Sequence, residues 1–173
     1  ISMQQSYIEN IKNNAGIIIK EKQSNYDNNF VELDKKINNK KTLEETQKTL
    51  FESVEDQINI ESKDVKLKDL RSTLVEKQKE KDKMIAFFEK HDDCPVCTQD
   101  IPKDFKSEMI TTKEKEKKEI VNGLTKMEEE LDKTQSRLSE IVKVTNEIQD
   151  NSIQIAQLNT SIKELEKFQE RLS

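Results

Sequence analysis

Residues 124–155, LTKMEEELDKTQSRLSEIVKVTNEIQDNSIQI, decide the fold. Leu124, Met127, Leu131, Thr134, Leu138, Ile141, Thr145, Ile148, Ser152 and Ile155 follow one another in alternating steps of three and four. That spacing holds a narrow apolar seam on one side of an α-helix and calls for a second helix wound against it. From Ile155 the next step is again three, to Leu158, and the alternation resumes through Ile162, Leu165, Gln169 and Leu172. Local overwinding is therefore expected at 155–158.

The rest of the composition agrees with a fibrous chain. Hydrophobic residues make up 32% of the 173 positions and charged residues 38%, with two Gly, two Pro and no Trp, which leaves too little apolar surface for a globular core. The apolar periodicity argues against disorder. The 35 acidic and 30 basic side chains are interleaved, as on solvated helix faces with frequent i to i+4 pairs. A net charge of -5 argues against this segment gripping nucleic acid itself. No run approaches the roughly 18 apolar residues of a membrane span and no signal-like segment opens the chain, so a soluble, cytoplasmic setting without a membrane is expected. The start Ile1-Ser2-Met3 reads as a piece cut from a longer protein.

Upstream the pattern is less regular. Leu67, Leu70, Leu74, Lys77, Lys81, Met84 and Phe88 keep a heptad line, and Phe30, Leu33, Ile37, Leu43, Leu50, Val54 and Ile58 keep one intermittently. Residues 1–40 carry eight Asn and Gly16, poor helix formers. Both prolines and both cysteines fall between Lys90 and Asp104, where the helical pattern stops and the chain turns back. Pro102 suits the first turn of the returning helix, with Asp100 or Asp104 near its positive end.

A hairpin closed there sets Phe88 opposite Phe105, and paired residue numbers add to about 193 along both arms. Leu70 then meets Leu124, Val54 meets Leu138, Leu43 meets Ile148 and Phe30 meets Ile162. The expected fold is all-α, a long antiparallel coiled-coil hairpin: first arm 1–90, loop 91–104, second arm 105–173. Residues 1–20 have no partner within it.

Cys94-Pro95-Val96-Cys97 is the one pair of cysteines, with His91 the one histidine. A reducing compartment favours metal ligation or redox chemistry over a structural disulfide. Tetrahedral zinc takes four N or S ligands, so two cysteines per chain make half a site, and one zinc shared between two chains would complete it. Pro95 favours a tight turn whose N–H groups, from Val96 to Gln99, point at the Cys94 sulfur. Asp92 and Asp93 place negative charge beside Cys94, which raises a thiol pKa unless a metal overrides it. His91 reads as a solvent-facing residue at the helix end rather than a third ligand. Phe87, Phe88 and Phe105 read as packing that locks the two helix ends, while Pro95, Val96 and Ile101 are the expected contacts with a second copy. The charge run Lys113 to Glu119 reads as a solvated helix face. Two alternatives use the same residues: a metal-free thiol redox switch or disulfide-forming arm, and a plain spacer with idle cysteines.

An isolated Cys94-Pro95-Val96-Cys97 at the apex of a long antiparallel coiled coil resembles the zinc hook of the SMC-like ATPases of DNA double-strand-break repair. His91 to Cys97 and the Asn- and Lys-rich arms look closest to the bacteriophage members of that family. Many members follow the second cysteine with Gly where this chain has Thr98. The resemblance implies a non-catalytic apex whose metal ligands are Cys94 and Cys97. It further implies that two hooks join through shared zinc and so link two nuclease-ATPase heads or the DNA ends they hold. A metallophosphoesterase nuclease subunit and the DNA would bind outside this segment, since two Gly leave no phosphate-binding loop here. Lys90, Lys103 or Lys106 would moderate the charge of four thiolates around one divalent ion.

Overall fold

The computed structural model describes residues 2–173. Three helices account for nearly all of them: α1 (Ser2–Ser53), α2 (Gln57–Lys90) and α3 (Lys103–Leu172). Among the described residues the one pairing of extended backbone is an isolated antiparallel bridge between Asp93 and Asp100. Helix persists through Gly16 and the Asn-rich part of α1 because propagation in a nucleated helix costs at most about 1 kcal/mol per poor residue. The helices form two compact units, one of α1 with Lys143–Ser173 and one of Glu55–Val142.

In the second unit α2 and the first part of α3 run antiparallel. The less exposed positions of α3 include Ile110, Lys113, Lys117, Ile120, Leu124, Met127, Leu131, Thr134, Leu138 and Ile141, which follow one another in alternating steps of three and four, with Met109, Glu116, Gly123, Glu128, Glu130 and Arg137 half-buried beside them. On α2 they include Ile60, Asp64, Leu67, Leu74, Gln78, Lys81, Ile85 and Phe88. The expected members Leu70, Lys77 and Met84 are exposed instead. Two heptad lines share Leu67, Leu74, Lys81 and Phe88, and the local sequence does not choose between them. Ile60 and Ile85 do, because a line that includes both runs through Asp64, Arg71 and Gln78.

In the first unit the α1 seam is Tyr26, Asn29, Leu33, Lys36, Lys40, Leu43, Gln47 and Leu50, leading to Val54. Phe30 and Ile37 are exposed, as is Ile58 at the start of α2, contrary to the intermittent line read from the sequence. One seven-residue repeat through Leu33, Leu43, Leu50 and Val54 must pass through positions 36, 40 and 47, whatever occupies them. On α3 this unit uses Val144, Ile148, Asn151, Ile155, Leu158, Ile162, Leu165, Gln169 and Leu172, with Thr145 and Ser152 exposed. The irregular step of three thus falls at Leu138–Ile141–Val144, not at 155–158. The first arm takes the same irregular step at Val54–Gln57–Ile60. There the helix breaks for three residues and the Val54 N–H donates to the Phe51 carbonyl at 3.2 Å.

The antiparallel register holds within each unit. Asn29 Nδ2 donates to the Leu165 carbonyl at 3.1 Å and Gln47 Nε2 to the Ile148 carbonyl at 2.9 Å. In the other unit Lys63 pairs with Glu130 at 2.9 Å and Lys81 with Glu116 at 2.7 Å. The paired numbers add to between 193 and 197 in these contacts, within about one helical turn of side-chain reach. Lys113 and Lys117 belong to the seam, where Lys113 reaches Glu116 and Lys117 reaches Asp82. The run read as a solvated face is therefore partly an interhelical ion-pair layer. Residues 2–20 are helical and exposed apart from half-buried Gly16, and no interhelical bond or ion pair involves them.

Candidate metal-binding loop

α2 ends where His91 leaves the helix at φ -116° and ψ 125°. Its N–H still donates to the Phe87 carbonyl at 3.1 Å, and its ring packs against Phe87 with centroids 5.1 Å apart. This contact holds the imidazole back against the helix end. Beyond it the chain forms a narrow two-stranded ribbon. The Ile101 N–H donates to the Asp92 carbonyl and the Cys94 N–H to the Gln99 carbonyl, each at 2.8 Å. A turn through Pro95, Val96 and Cys97 closes the ribbon, with the Thr98 N–H donating to the Cys94 carbonyl at 2.8 Å. Pro95 fits because its ring fixes φ and the turn asks no N–H of it.

Thr98 is the one non-glycine described residue with positive φ, at 60°. A β-branched side chain is costly there. Its hydroxyl donates to the Cys97 carbonyl at 2.7 Å, which offsets part of the strain. The loop keeps the backbone shape a glycine would adopt freely at this position.

The base of the ribbon is clamped. Lys106 Nζ pairs with Asp92 Oδ1 at 2.8 Å, and the Lys106 N–H donates to the Pro102 carbonyl at 2.9 Å. One residue thus ties α3's first turn to the outgoing strand. Pro102 stands immediately before α3 rather than inside its first turn, and Asp104 supplies the acidic side chain there. Phe88 meets Phe105 edge-to-face at 6.0 Å and Phe87 at 5.3 Å, the packing expected of these rings. At the far end Pro95 and Val96 are exposed, Val96 to 91%, while Ile101 is half-buried on the ribbon.

Cys94 and Cys97 are both free thiols, Cys94 half-buried and Cys97 exposed, and lie 3.4 Å apart. The backbone N–H groups of Cys97 and Val96 and the Cys97 thiol point at Cys94 and hold its pKa below the ordinary thiol value. The adjacent aspartates were expected to push it up. They are otherwise engaged: Lys106 holds Asp92 below the usual carboxylate range. Asp93 is pushed above it by a hydrogen bond and charge repulsion from Asp100.

The donor set fits half of a structural zinc site. Two sulfurs on one tetrahedral zinc lie about 3.8 Å apart, for Zn–S bonds of about 2.3 Å, and a disulfide needs about 2.05 Å. The N–H groups aimed at sulfur are the outer contacts that stabilise a thiolate ligand. Among the described residues no three His, Cys, Asp or Glu side chains converge as a metal-binding group.

Thr98 and the Lys106–Asp92 clamp carry the loop's geometry; the sequence named Thr98 only as a departure from Gly, and Lys106 and Asp92 only as charges near the thiols, so their pairing and the turn at Thr98 were missed. The sequence signal for Thr98 is its place directly after the second cysteine. For Lys106 it is a cation one turn into the returning helix, within reach of the Asp92-Asp93 pair. Comparison with protein-family models, with curated proteins and with solved structures returned no significant match. No described helix is long and apolar enough to cross a membrane.

Proposed function

We propose that this chain is the apex of an SMC-like DNA repair or recombination ATPase, a non-catalytic tether that joins hook to hook with a second copy through one shared zinc. Cys94 and Cys97 of each copy supply the four thiolates, and exposed Pro95 and Val96, with Ile101 behind them, form the apolar contact beside the metal. The tether would link two nuclease-ATPase heads, or the DNA ends they hold, in the cytoplasm, with DNA and the nuclease subunit bound outside this segment. The observation that carries the reading is the turn at the tip. It presents two free thiols 3.4 Å apart, with N–H donors aimed at one of them, in a chain that has no third cysteine. The repair role itself rests on the resemblance of the Cys94-Pro95-Val96-Cys97 apex.

Zinc content and mass of the purified chain, with and without a strong chelator, test this directly. The expected result is about one zinc per two chains, a fall in mass on chelation, and a Cys94→Ser chain that matches the chelated protein in mass and in helix content. A metal-free protein with a reducible Cys94–Cys97 disulfide would support the thiol-switch reading instead. A mass indifferent to zinc would leave the chain a spacer.

A further inference from the structure

Below the loop the seam between α2 and α3 changes character. Between Leu74 and Ile85 the α2 seam passes through Gln78 and Lys81, and between Ile110 and Ile120 the α3 seam passes through Lys113 and Lys117. About 16 Å of helix, at 1.5 Å per residue, therefore runs without an apolar layer. The antiparallel register sets Lys81 opposite Lys113 and Gln78 opposite Lys117.

Two lysines facing each other would push their layer apart, and one carboxylate prevents it. Glu116 Oε2 takes Lys81 Nζ at 2.7 Å and Lys113 Nζ at 3.3 Å. Because both ammonium groups lie on one oxygen, they are no more than about 6 Å from each other, well within the range of strong repulsion. The Lys81 and Lys113 side chains are 22% and 17% exposed, so each gives up part of its hydration to stand there. Lys81 first and Lys113 second hold the Glu116 carboxyl below its ordinary range. Lys117 finds its own partner in Asp82 at 2.6 Å, on a more open surface.

Both ends of this section are closed by other means. Toward the loop stand Ile85 and Ile110, the Phe87, Phe88 and Phe105 rings, and the Lys106–Asp92 clamp. Away from it Leu74, Ile120, Leu67 and Met127 restore the apolar seam. A buried apolar layer stabilises the pairing of two helices more than partly exposed ion pairs do. A short helical segment that loses its partner does not keep its own hydrogen bonds for long in water.

We infer that residues 75–84 of α2 and 111–119 of α3 form a salt-sensitive neck, which parts locally while the apolar layers on either side stay closed, with Glu116 as the latch between Lys81 and Lys113. Opening there lets the tip turn against the arms without parting the base of the loop. The device works with or without a metal at Cys94 and Cys97.

Amide hydrogen exchange of the purified chain, read segment by segment, tests it. Raising NaCl from about 0.1 M to about 1 M shortens the screening length from about 10 Å to about 3 Å. Exchange at 77–84 and 112–119 should then quicken roughly tenfold relative to residues 63–70 and 124–131 of the same helices. Lys81→Leu with Lys113→Leu supplies the missing apolar layer, and should slow exchange in the neck at least tenfold and remove its salt dependence. Glu116→Gln leaves the two lysines unbridged. Its neck should exchange faster than the unaltered one at low salt, and added salt should now slow it, because screening then weakens repulsion instead of attraction. A neck as protected as its neighbours at both salt concentrations overturns the inference. So does a Glu116→Gln chain whose salt response keeps the original direction, or a double leucine chain that stays as salt-sensitive as the unaltered one.

Discussion

Arg137 on α3 grips Asp56 at the start of α2 with two parallel hydrogen bonds, Nε to Oδ2 at 3.0 Å and Nη2 to Oδ1 at 2.9 Å. The fork also reaches Glu140 through Nη1 at 3.1 Å, so one guanidinium ties the break in the first arm to the uninterrupted second arm of the same unit. Only arginine offers two donors in that geometry. Its pKa is driven up by Asp56 first and by Glu140 second, while the Arg137 hydrogen bonds drive the Asp56 carboxyl below 3.8.

The sign of the pH effect follows. A carboxyl whose folded pKa lies below its unfolded value adds stability that is present above 3.8 and is lost as pH falls through the lower folded value. Asp56→Asn should therefore lower the melting midpoint at neutral pH by a few degrees at most, as befits a partly exposed pair. The gap from the unaltered chain should close below roughly pH 4. Arg137→Lys should behave nearly like Asp56→Asn, because a single ammonium cannot replace the fork. Melting curves followed by circular dichroism across that range check both statements.

Asn29 is 6% exposed in the α1 seam, with its amide donating to the Leu165 carbonyl and to Gln169 Oε1. A buried amide that finds partners in one register disfavours other pairings at some cost in stability. Asn29→Ala leaves those acceptors without their donor and should cost about 1 to 3 kcal/mol in urea unfolding. Asn29→Leu should raise the unfolding midpoint while loosening the register. Cysteine pairs introduced along α1 and α3 would then cross-link at more than one offset, where the unaltered seam gives one.

Much of the fold was legible because the second arm's leucines and isoleucines hold one heptad line as far as Ile141, beyond which Ile148 and Ile155 fit two lines and the reading chose Thr145 and Ser152 over Val144 and Asn151, and because the prolines and cysteines fall together where the pattern stops. The first arm was not legible to the same degree. Its seam passes through Asn29, Lys36, Lys40, Gln47 and Asp64, and a reading that follows apolar residues steps aside to Phe30, Ile37 and Leu70. Those residues are exposed because phase is set by the whole arm and its partner, not by the nearest hydrophobe.

Two substitutions separate the seams. Ile141 is 2% exposed, so Ile141→Ala should cost about 2 to 4 kcal/mol. Phe30 is 58% exposed, and Phe30→Ala should change stability by no more than about 0.5 kcal/mol. A large loss on removing Phe30 would restore the line read from sequence. Urea unfolding of the two chains decides it.

In the loop, Cys94, Cys97 and the flanking phenylalanines were legible from residue type and position, but the left-handed backbone at Thr98 was not. Nothing about threonine announces a φ of 60°, and the conformation comes from closing a ribbon between Cys94 and Gln99. Thr98→Gly removes a strain of about 1 to 2 kcal/mol and adds freedom to the unfolded chain worth up to about 1 kcal/mol. It also gives up the hydroxyl bond to the Cys97 carbonyl. The net gain should be up to about 1 kcal/mol, seen as slower amide exchange at Cys94, Thr98 and Ile101. Thr98→Val keeps the β-branch and loses the hydroxyl, so it should speed exchange at the same three amides.

Gly123 offers the last test, because the structure states what a side chain there would meet. A Cβ at Gly123 would lie 3.8 Å from Leu74 Cδ1, an ordinary contact, and one at Gly16 would meet nothing within 4 Å. Neither glycine has a positive φ, so alanine fits both helices without strain. At each site Gly→Ala should therefore add about 0.5 to 1 kcal/mol through the unfolded state and helix propensity. Gly123→Ala should add a little more, because its methyl also covers part of an open groove beside Leu74 and Ile120. If Gly123→Ala destabilises the chain while Gly16→Ala stabilises it, the two arms approach more closely at Leu74 than the structure has them. Urea unfolding of the two single variants, taken side by side, reads that difference.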